Sequence, residues 1–163
     1  VGPVKDRKNC YFLYKDGQQS DLAETTVEKD LGVWISNDLK CSHQCNKAAS
    51  KAMSVLGIIK RNFNHLNLES FKILYNSYVR PHLEYCVQAW RPYLKKDIEC
   101  LEKIQRRATK MVYCLKNFSY EVRLKMLGLY SLERRRLRGD LIETYKILNH
   151  KENISDKFFL RNQ

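Results

Sequence analysis

The chain has 163 residues, 44% of them apolar, with only 3 Pro and 6 Gly. That is too much core material for a disordered tail and too few chain breakers for an all-β sandwich, so one mostly helical globular unit is expected. Thirty Lys and Arg against eighteen Asp and Glu leave a formal charge of +12, which points first to a polyanionic partner; nucleic acid is the commonest, with an anionic membrane surface and plain solubility as alternatives.

No uninterrupted apolar run exceeds five residues, the length of Val55 to Ile59, far short of the ~20 residues a membrane-spanning helix needs. Val1 to Lys8 hold three basic residues with no apolar core after them, which argues against a secretory signal and for a piece of a longer chain. Without such a signal, Cys10, Cys41, Cys45, Cys86, Cys100 and Cys114 read as reduced thiols in an intracellular protein, nuclear or cytoplasmic. Cys86, Cys100 and Cys114 lie in apolar helical patterns and are expected in the core.

In chain order, Cys10 to Tyr14 is rich in β-forming aromatics, Asp16-Gly17 is a hairpin turn signal, and Leu31 to Ser36 is a second β-prone run. Two or three short strands are expected over residues 1–37, packed on helices or on an absent domain, because so small a sheet is not stable alone. Residues 38–163 read as a helical domain of about five to six helices. The cluster Cys41, His43 and Cys45 reads as the start of a helix rather than a zinc site, since residues two apart point to different sides and no second ligand pair occurs. From Ser42 to Phe63, the residues Cys45, Ala48, Ala49, Ala52, Leu56, Ile59 and Phe63 recur at helical steps, with Lys47, Lys51 and Arg61 opposite.

A helix from Leu68 to Val79 follows, capped by Asn67 and ended or bent by Arg80-Pro81, with Phe71, Leu74, Tyr75 and Tyr78 inward. Leu83 to Trp90 is another apolar helical stretch. The clearest amphipathic helix is Lys95 to Leu115, with the stripe Ile98, Leu101, Ile104, Ala108, Val112 and Leu115. Opposite it, Lys96, Lys103, Arg106 and Lys110 lie within about 100° of arc, and Glu99 is the one acid among them. Ser119 and Ser131 open two closing helices, Tyr120 to Leu127 and about Leu132 to Asn149, the latter with Leu137, Leu141, Thr144, Tyr145 and Leu148 inward. On that wheel Arg134 falls in the apolar arc and is expected to be partly buried in a structural ion pair. Arg135 and Arg136 are expected to be free for phosphate, Arg136 also pairing with Asp140. Most tyrosines, including Tyr75, Tyr78 and Tyr145, are expected to pack rather than stack on bases.

No glycine-rich phosphate loop, GxSxG elbow, HExxH helix or adjacent Asp pair occurs, so no catalytic residue, metal or cofactor is assigned. Asp30 and Asp38 read as strand-end turn residues.

Several strings carry a resemblance: EKDLGVWISNDL, ILYNSYVRPHLEYCVQAW, IECLEKIQRRATKM and YEVRLKMLGLYSLERRRLRGDLIETYKIL. Together they resemble the carboxyl-terminal part of reverse transcriptases from non-LTR (LINE-type, jockey-like) retrotransposons, over about Glu28 to Leu148. The resemblance implies that Leu31, Gly32 and Val33 form the hairpin at the end of the palm that steadies the primer. The helices would be the thumb and a carboxyl-terminal extension that hold the template–primer duplex. The family's magnesium-binding aspartates and endonuclease would lie upstream, so magnesium is expected only in that missing part and this piece is not expected to polymerise. Val122 and Trp34 depart from the family without altering the assignment. A thumb contacts phosphates without reading sequence, so Lys103, Arg106 and Lys110 are the main candidate contacts, with Lys47, Lys51, Arg135 and Arg136 secondary. The partners implied are an RNA or DNA duplex and the rest of the polymerase chain. The alternative is a degenerate or domesticated helical protein-interaction module, with Trp90 and the tyrosines as its partner surface.

Overall fold

The computed structural model describes residues 11–15 and 17–151. The readings placed on Val1 to Lys8, Cys10 and Asp16 lie outside them. The chain is mainly helical, preceded by two antiparallel hairpins: β1 (Phe12–Lys15) with β2 (Gln18–Asp21), and β3 (Val27–Asp30) with β4 (Val33–Ser36). In the second, Asp30 sits opposite Val33, leaving Leu31 and Gly32 as a two-residue turn. Both have positive φ, 45° and 88°, the handedness that matches strand twist in tight hairpins. Leu31-Gly32 is therefore the turn and the strand begins at Val33, two residues later than the β-prone run. The Tyr85 hydroxyl donates to the Leu31 carbonyl at 3.0 Å. A Cβ on Gly32 would stand 3.3 Å from the Tyr85 ring, so this close turn requires glycine.

The second hairpin packs on α1 (Ser42–Asn62): Val33 is buried, the Trp34 amide donates to Gln44 Oε1 at 3.0 Å, and the Trp34 ring meets His43 edge-on. The first hairpin leaves Tyr11, Phe12, Leu13 and Tyr14 exposed. Helix α1 turns Cys45, Ala48, Ala49, Ala52, Leu56 and Ile59 inward, where the small alanines let neighbouring helices approach closely. Phe63, expected on that face, is instead the exposed C-cap.

Asn67 caps α2 (Leu68–Leu74), its side chain accepting from the Ser70 amide at 2.8 Å. The helix is not ended at Arg80-Pro81. It runs through a π-helical turn (Tyr75–Val79) straight into α3 (Arg80–Glu84). Pro81 lacks an amide to donate, and the wider turn absorbs the mismatch that would otherwise kink an α-helix. The break comes at Tyr85 and Cys86, where Cys86 takes a left-handed φ of 48° before α4 (Val87–Trp90). The Trp90 indole donates to the Tyr85 carbonyl at 2.7 Å and is buried, so it offers no partner surface.

Helix α5 (Lys95–Thr109) lies across α1 and buries Leu101, Ile104 and Ala108. Its apolar stripe continues into the buried Val112 and Leu115 after the helix has stopped. Val112 forms a parallel bridge with Leu66, and a 3-10 turn (Tyr113–Leu115) follows. Helices α6 (Tyr120–Leu127) and α7 (Leu132–Leu148) start where expected, with the Ser119 and Ser131 hydroxyls accepting from the Val122 and Arg134 amides. Cys45 is buried as expected and Cys41 beside it is buried too, but the three cysteines expected in the core are not there: Cys86 and Cys114 are exposed and Cys100 is half-buried. Cys86 sits at the helix break and Cys114 in the 3-10 turn, where the helical pattern no longer fixes a face. Tyr75 is buried, but Tyr78 and Tyr145 are exposed.

Leu101 is fully buried and Leu141, on the expected inner side of α7, is 63% exposed. Leu101→Ala should therefore cost about 2–5 kcal/mol in urea unfolding and Leu141→Ala within about 0.5 kcal/mol; equal losses would refute this placement of α7. Burial pushes the Cys45 thiol from 9.0 up to about 12. Folding favours the neutral thiol, so its contribution is complete below about pH 9 and is lost as pH rises towards 12. Tyr75 and Tyr120, also raised by burial from 10.0, add a later loss of the same sign. Cys45→Ala should remove the early part of the alkaline decline, and a decline unchanged from pH 9 upward would contradict the assignment.

Candidate nucleic-acid interface

Helix α5 places its cations by its packing. With Leu101, Ile104 and Ala108 turned to α1, residues Lys96, Lys103, Arg106, Arg107 and Lys110 are exposed. Asp97 in the first turn accepts from the Ser42 hydroxyl at 2.7 Å, which ties the starts of α1 and α5 together. Among the described residues, no carboxylate lies within ion-pair distance of Lys103, Arg106 or Lys110.

The three do not share one cavity. Lys103 and Arg106 line a cleft of about 840 Å³ between α5, α6 and the start of α7, together with Glu99, Glu121 and Glu133. Arg106 lies over the Tyr120 ring, 4.9 Å from its centroid. Glu121 is held below the usual carboxylate range by backbone and Ser119 hydrogen bonds, with Arg106 and Arg123 adding to the effect. Lys110 caps the far end of α5 and faces a separate groove. Of the secondary candidates, Lys51 is exposed, and Lys47 holds its ammonium 5.3 Å from the Trp34 ring centroid. Leu31 projects from the hairpin turn, Gly32 rests on Tyr85 and Val33 is buried.

The arginines of α7 exchange the roles expected of them. Arg134 is exposed and lies over the Tyr130 ring at 5.0 Å, with no ion pair among the described residues. Arg135 is half-buried and makes a two-pronged pair with Glu84, Nε to Oε1 at 2.5 Å and Nη2 to Oε2 at 3.1 Å, so the structural ion pair belongs to Arg135. Arg136 is 3% exposed and unavailable to phosphate. Neither of its terminal nitrogens has a hydrogen-bond partner among the described residues, and burial lowers its pKa. Asp140, expected to pair with Arg136, is bound by Arg91 instead. The physical reason is a rotation of the helix: Leu132 and Arg136 face the core, while the more apolar side, Leu137, Leu141, Tyr145 and Leu148, turns outward.

Beneath the cationic face runs a polar seam that periodicity did not reveal. Glu102, Gln105 and Thr109 are buried along α5 beside Leu101 and Ile104. Gln105 accepts from the Tyr75 hydroxyl at 2.5 Å and donates to the Tyr120 hydroxyl and the Tyr130 carbonyl at 3.0 and 2.9 Å. Glu102 accepts from the Tyr120 hydroxyl and from the Leu132 amide at the start of α7, the latter at 3.0 Å. Arg123 of α6 donates to Thr109 Oγ1 at 3.0 Å and to the Phe118 and Arg106 carbonyls at 2.6 and 3.4 Å. Glu102, Gln105 and Thr109 recur at steps of three and four, which was the available signal of a second inward face. The seam fixes α6 and α7 on α5 and therefore fixes the cleft.

Among the described residues, no group of three or more His, Cys, Asp and Glu is placed to hold a metal ion. Asp38 is engaged by Ser36 and Lys40. Nor, among the described residues, is any helix long and apolar enough to cross a membrane.

The chain is similar to an uncharacterized protein of Caenorhabditis elegans, B0403.1, at 26% identity over 136 residues, spanning 82% of this chain and 69% of that one. No known protein-family profile matches the chain, and no solved structure matches it.

A buried guanidinium without hydrogen-bond partners costs desolvation energy that its neighbours do not return in full. Arg136→Met should leave stability unchanged or raise it, read from the urea midpoint. A loss above about 2 kcal/mol would mean that Arg136 is a necessary counter-ion to Glu102 and Glu84.

Proposed function

We propose that this chain is the thumb and carboxyl-terminal helical part of a non-LTR retrotransposon reverse transcriptase, and that it holds template–primer duplex without reading sequence. The observation that carries the reading is the exposed row Lys103, Arg106 and Lys110 on α5, free of ion pairs in a chain of net charge +12. The strings that bear the resemblance also coincide with built elements. The first spans the β3–β4 hairpin, the second runs from the end of α2 through the π-helical turn and α3 to α4, the third lies on α5, and the last covers α6 with α7.

On this reading the chain is a duplex-holding part and not an enzyme by itself. Polymerisation, and the magnesium it needs, belong to a palm elsewhere in the parent protein, which acts inside the cell. The phosphate contacts are Lys103, Arg106 and Lys110, supported by Lys51 and Lys47. Arg135 and Arg136 are withdrawn from that set because one is paired with Glu84 and the other is buried. The outward apolar side of α7 and the aromatic first hairpin are where the rest of the polymerase would rest. The same outward side favours a second reading, a helical protein-interaction module with no nucleic-acid role.

Anisotropy titrations with unrelated duplex sequences separate the two. Under the first reading, binding is sequence-independent and collapses between roughly 50 and 200 mM salt. Each neutralised contact lowers the slope of log affinity against log salt by about one. The triple variant Lys103→Glu, Arg106→Glu, Lys110→Glu should weaken duplex binding at least tenfold, and unchanged affinity would sink the first reading.

A further inference from the structure

A second basic surface lies where the carboxyl-terminal ends of α1 and α5 meet. Lys60 from the last turn of α1, Arg107 and Lys110 from the end of α5, and Lys116 after the 3-10 turn line a groove of about 570 Å³. Among the described residues, no Asp or Glu lines it, whereas the cleft at Lys103 and Arg106 mixes both signs. Phe63 and Tyr113 line the same groove, 44% and 77% exposed. The Tyr113 ring meets the edge of His65 at 6.3 Å between centroids.

Cations in a last helical turn ordinarily complement the helix dipole and cap free carbonyls. Here several carbonyls at these helix ends already have donors. Ile58 accepts from the Asn62 side chain, Ile59 from the Phe63 amide, Ala108 from the Met111 amide, and Arg106 from Thr109 and Arg123. Lys116 lies beyond the end of α5 altogether. Nor does dipole complementation account for two exposed aromatic rings beside the cations. Rings set in an acid-free cationic groove are the arrangement that binds unpaired nucleotides, phosphates on Lys and Arg and bases stacked on the ring. A blunt duplex keeps its bases stacked on one another and offers the ring only its ends.

We propose that this groove holds a single-stranded stretch of nucleic acid, a base stacking on Tyr113 and Phe63 while Lys60, Arg107, Lys110 and Lys116 take the phosphates. The proposal rests on the nucleic-acid reading above and adds to it the strand state of the ligand and a second site.

The test compares the full chain on a blunt duplex, the same duplex with a single-stranded overhang, and the single strand alone, in deoxyribose and ribose forms. The overhang and single strand should bind more tightly than the blunt duplex, and either sugar satisfies the proposal. Tyr113→Ala should weaken the overhang and single strand by about tenfold and leave the blunt duplex unchanged, with Tyr113→Trp restoring binding. A 2-aminopurine base in the overhang should be quenched by the wild type and not by Tyr113→Ala. Lys60→Gln with Lys116→Gln should lower the single-strand salt slope by about 1.4. Equal wild-type affinity for blunt and overhanging duplex, or full overhang binding by Tyr113→Ala, overturns this proposal and leaves the duplex reading standing. Absence of binding to every nucleic acid overturns both.

Discussion

The close contact of α1 with α5 is the constraint on which the remaining structure depends. Ala48, Ala49 and Ala52 on one helix and Ala108 on the other are buried, and side chains this small let two backbones approach without leaving voids. Once α5 is seated with Leu101 and Ile104 inward, its opposite side must carry the cations outward, because a helix that buries one stripe exposes the other. The position of the charge is thus a consequence of core packing.

The polar seam refines this arrangement. A buried amide or carboxylate is tolerable only when its hydrogen bonds are made, so Gln105 and Glu102 draw Tyr75, Tyr120, the Tyr130 carbonyl and the Leu132 amide to defined places. Four helical segments are held in register through two side chains. Hydrogen bonds are directional where apolar contact is not, so the walls of the cleft are set more sharply than burial alone would set them. Arg136 is the exception: it lies near the same carboxylate yet leaves both terminal nitrogens without hydrogen-bond partners.

Short-range structure is legible in the sequence. The caps at Asn67, Ser119 and Ser131, the buried face of α1 and the cationic side of α5 follow from spacing and from side chains that bond nearby amides. What failed depended on distant contacts. The apolar side of α7 looks like its core side on a wheel, but the helix buries Leu132 and Arg136 instead, with Arg135 paired to Glu84 and Asp140 to Arg91. Cys86 and Cys114 follow a helical pattern that the backbone abandons at those residues. The polar seam was hidden because Glu, Gln and Thr count as surface residues in any pattern of apolar positions. At the candidate sites, Lys103, Arg106 and Lys110 are exposed as anticipated, whereas the acid-free groove draws Lys60, Arg107, Tyr113 and Lys116 from segments far apart in the chain.

The π-helical turn at Tyr75–Val79 makes this helix tolerant of a change in length at one point. Such a turn accommodates one residue beyond the α-helical count. Deleting a single residue there would restore regular winding while the helix on either side keeps its phase, so Leu83 would stay in the core and Glu84 would still face Arg135. The same deletion in the regular turns of α2 or α3 would swing everything after it by about 100°. Homologous chains should accordingly gain or lose a residue within the wide turn and keep the residue count of the α-helical turns beside it.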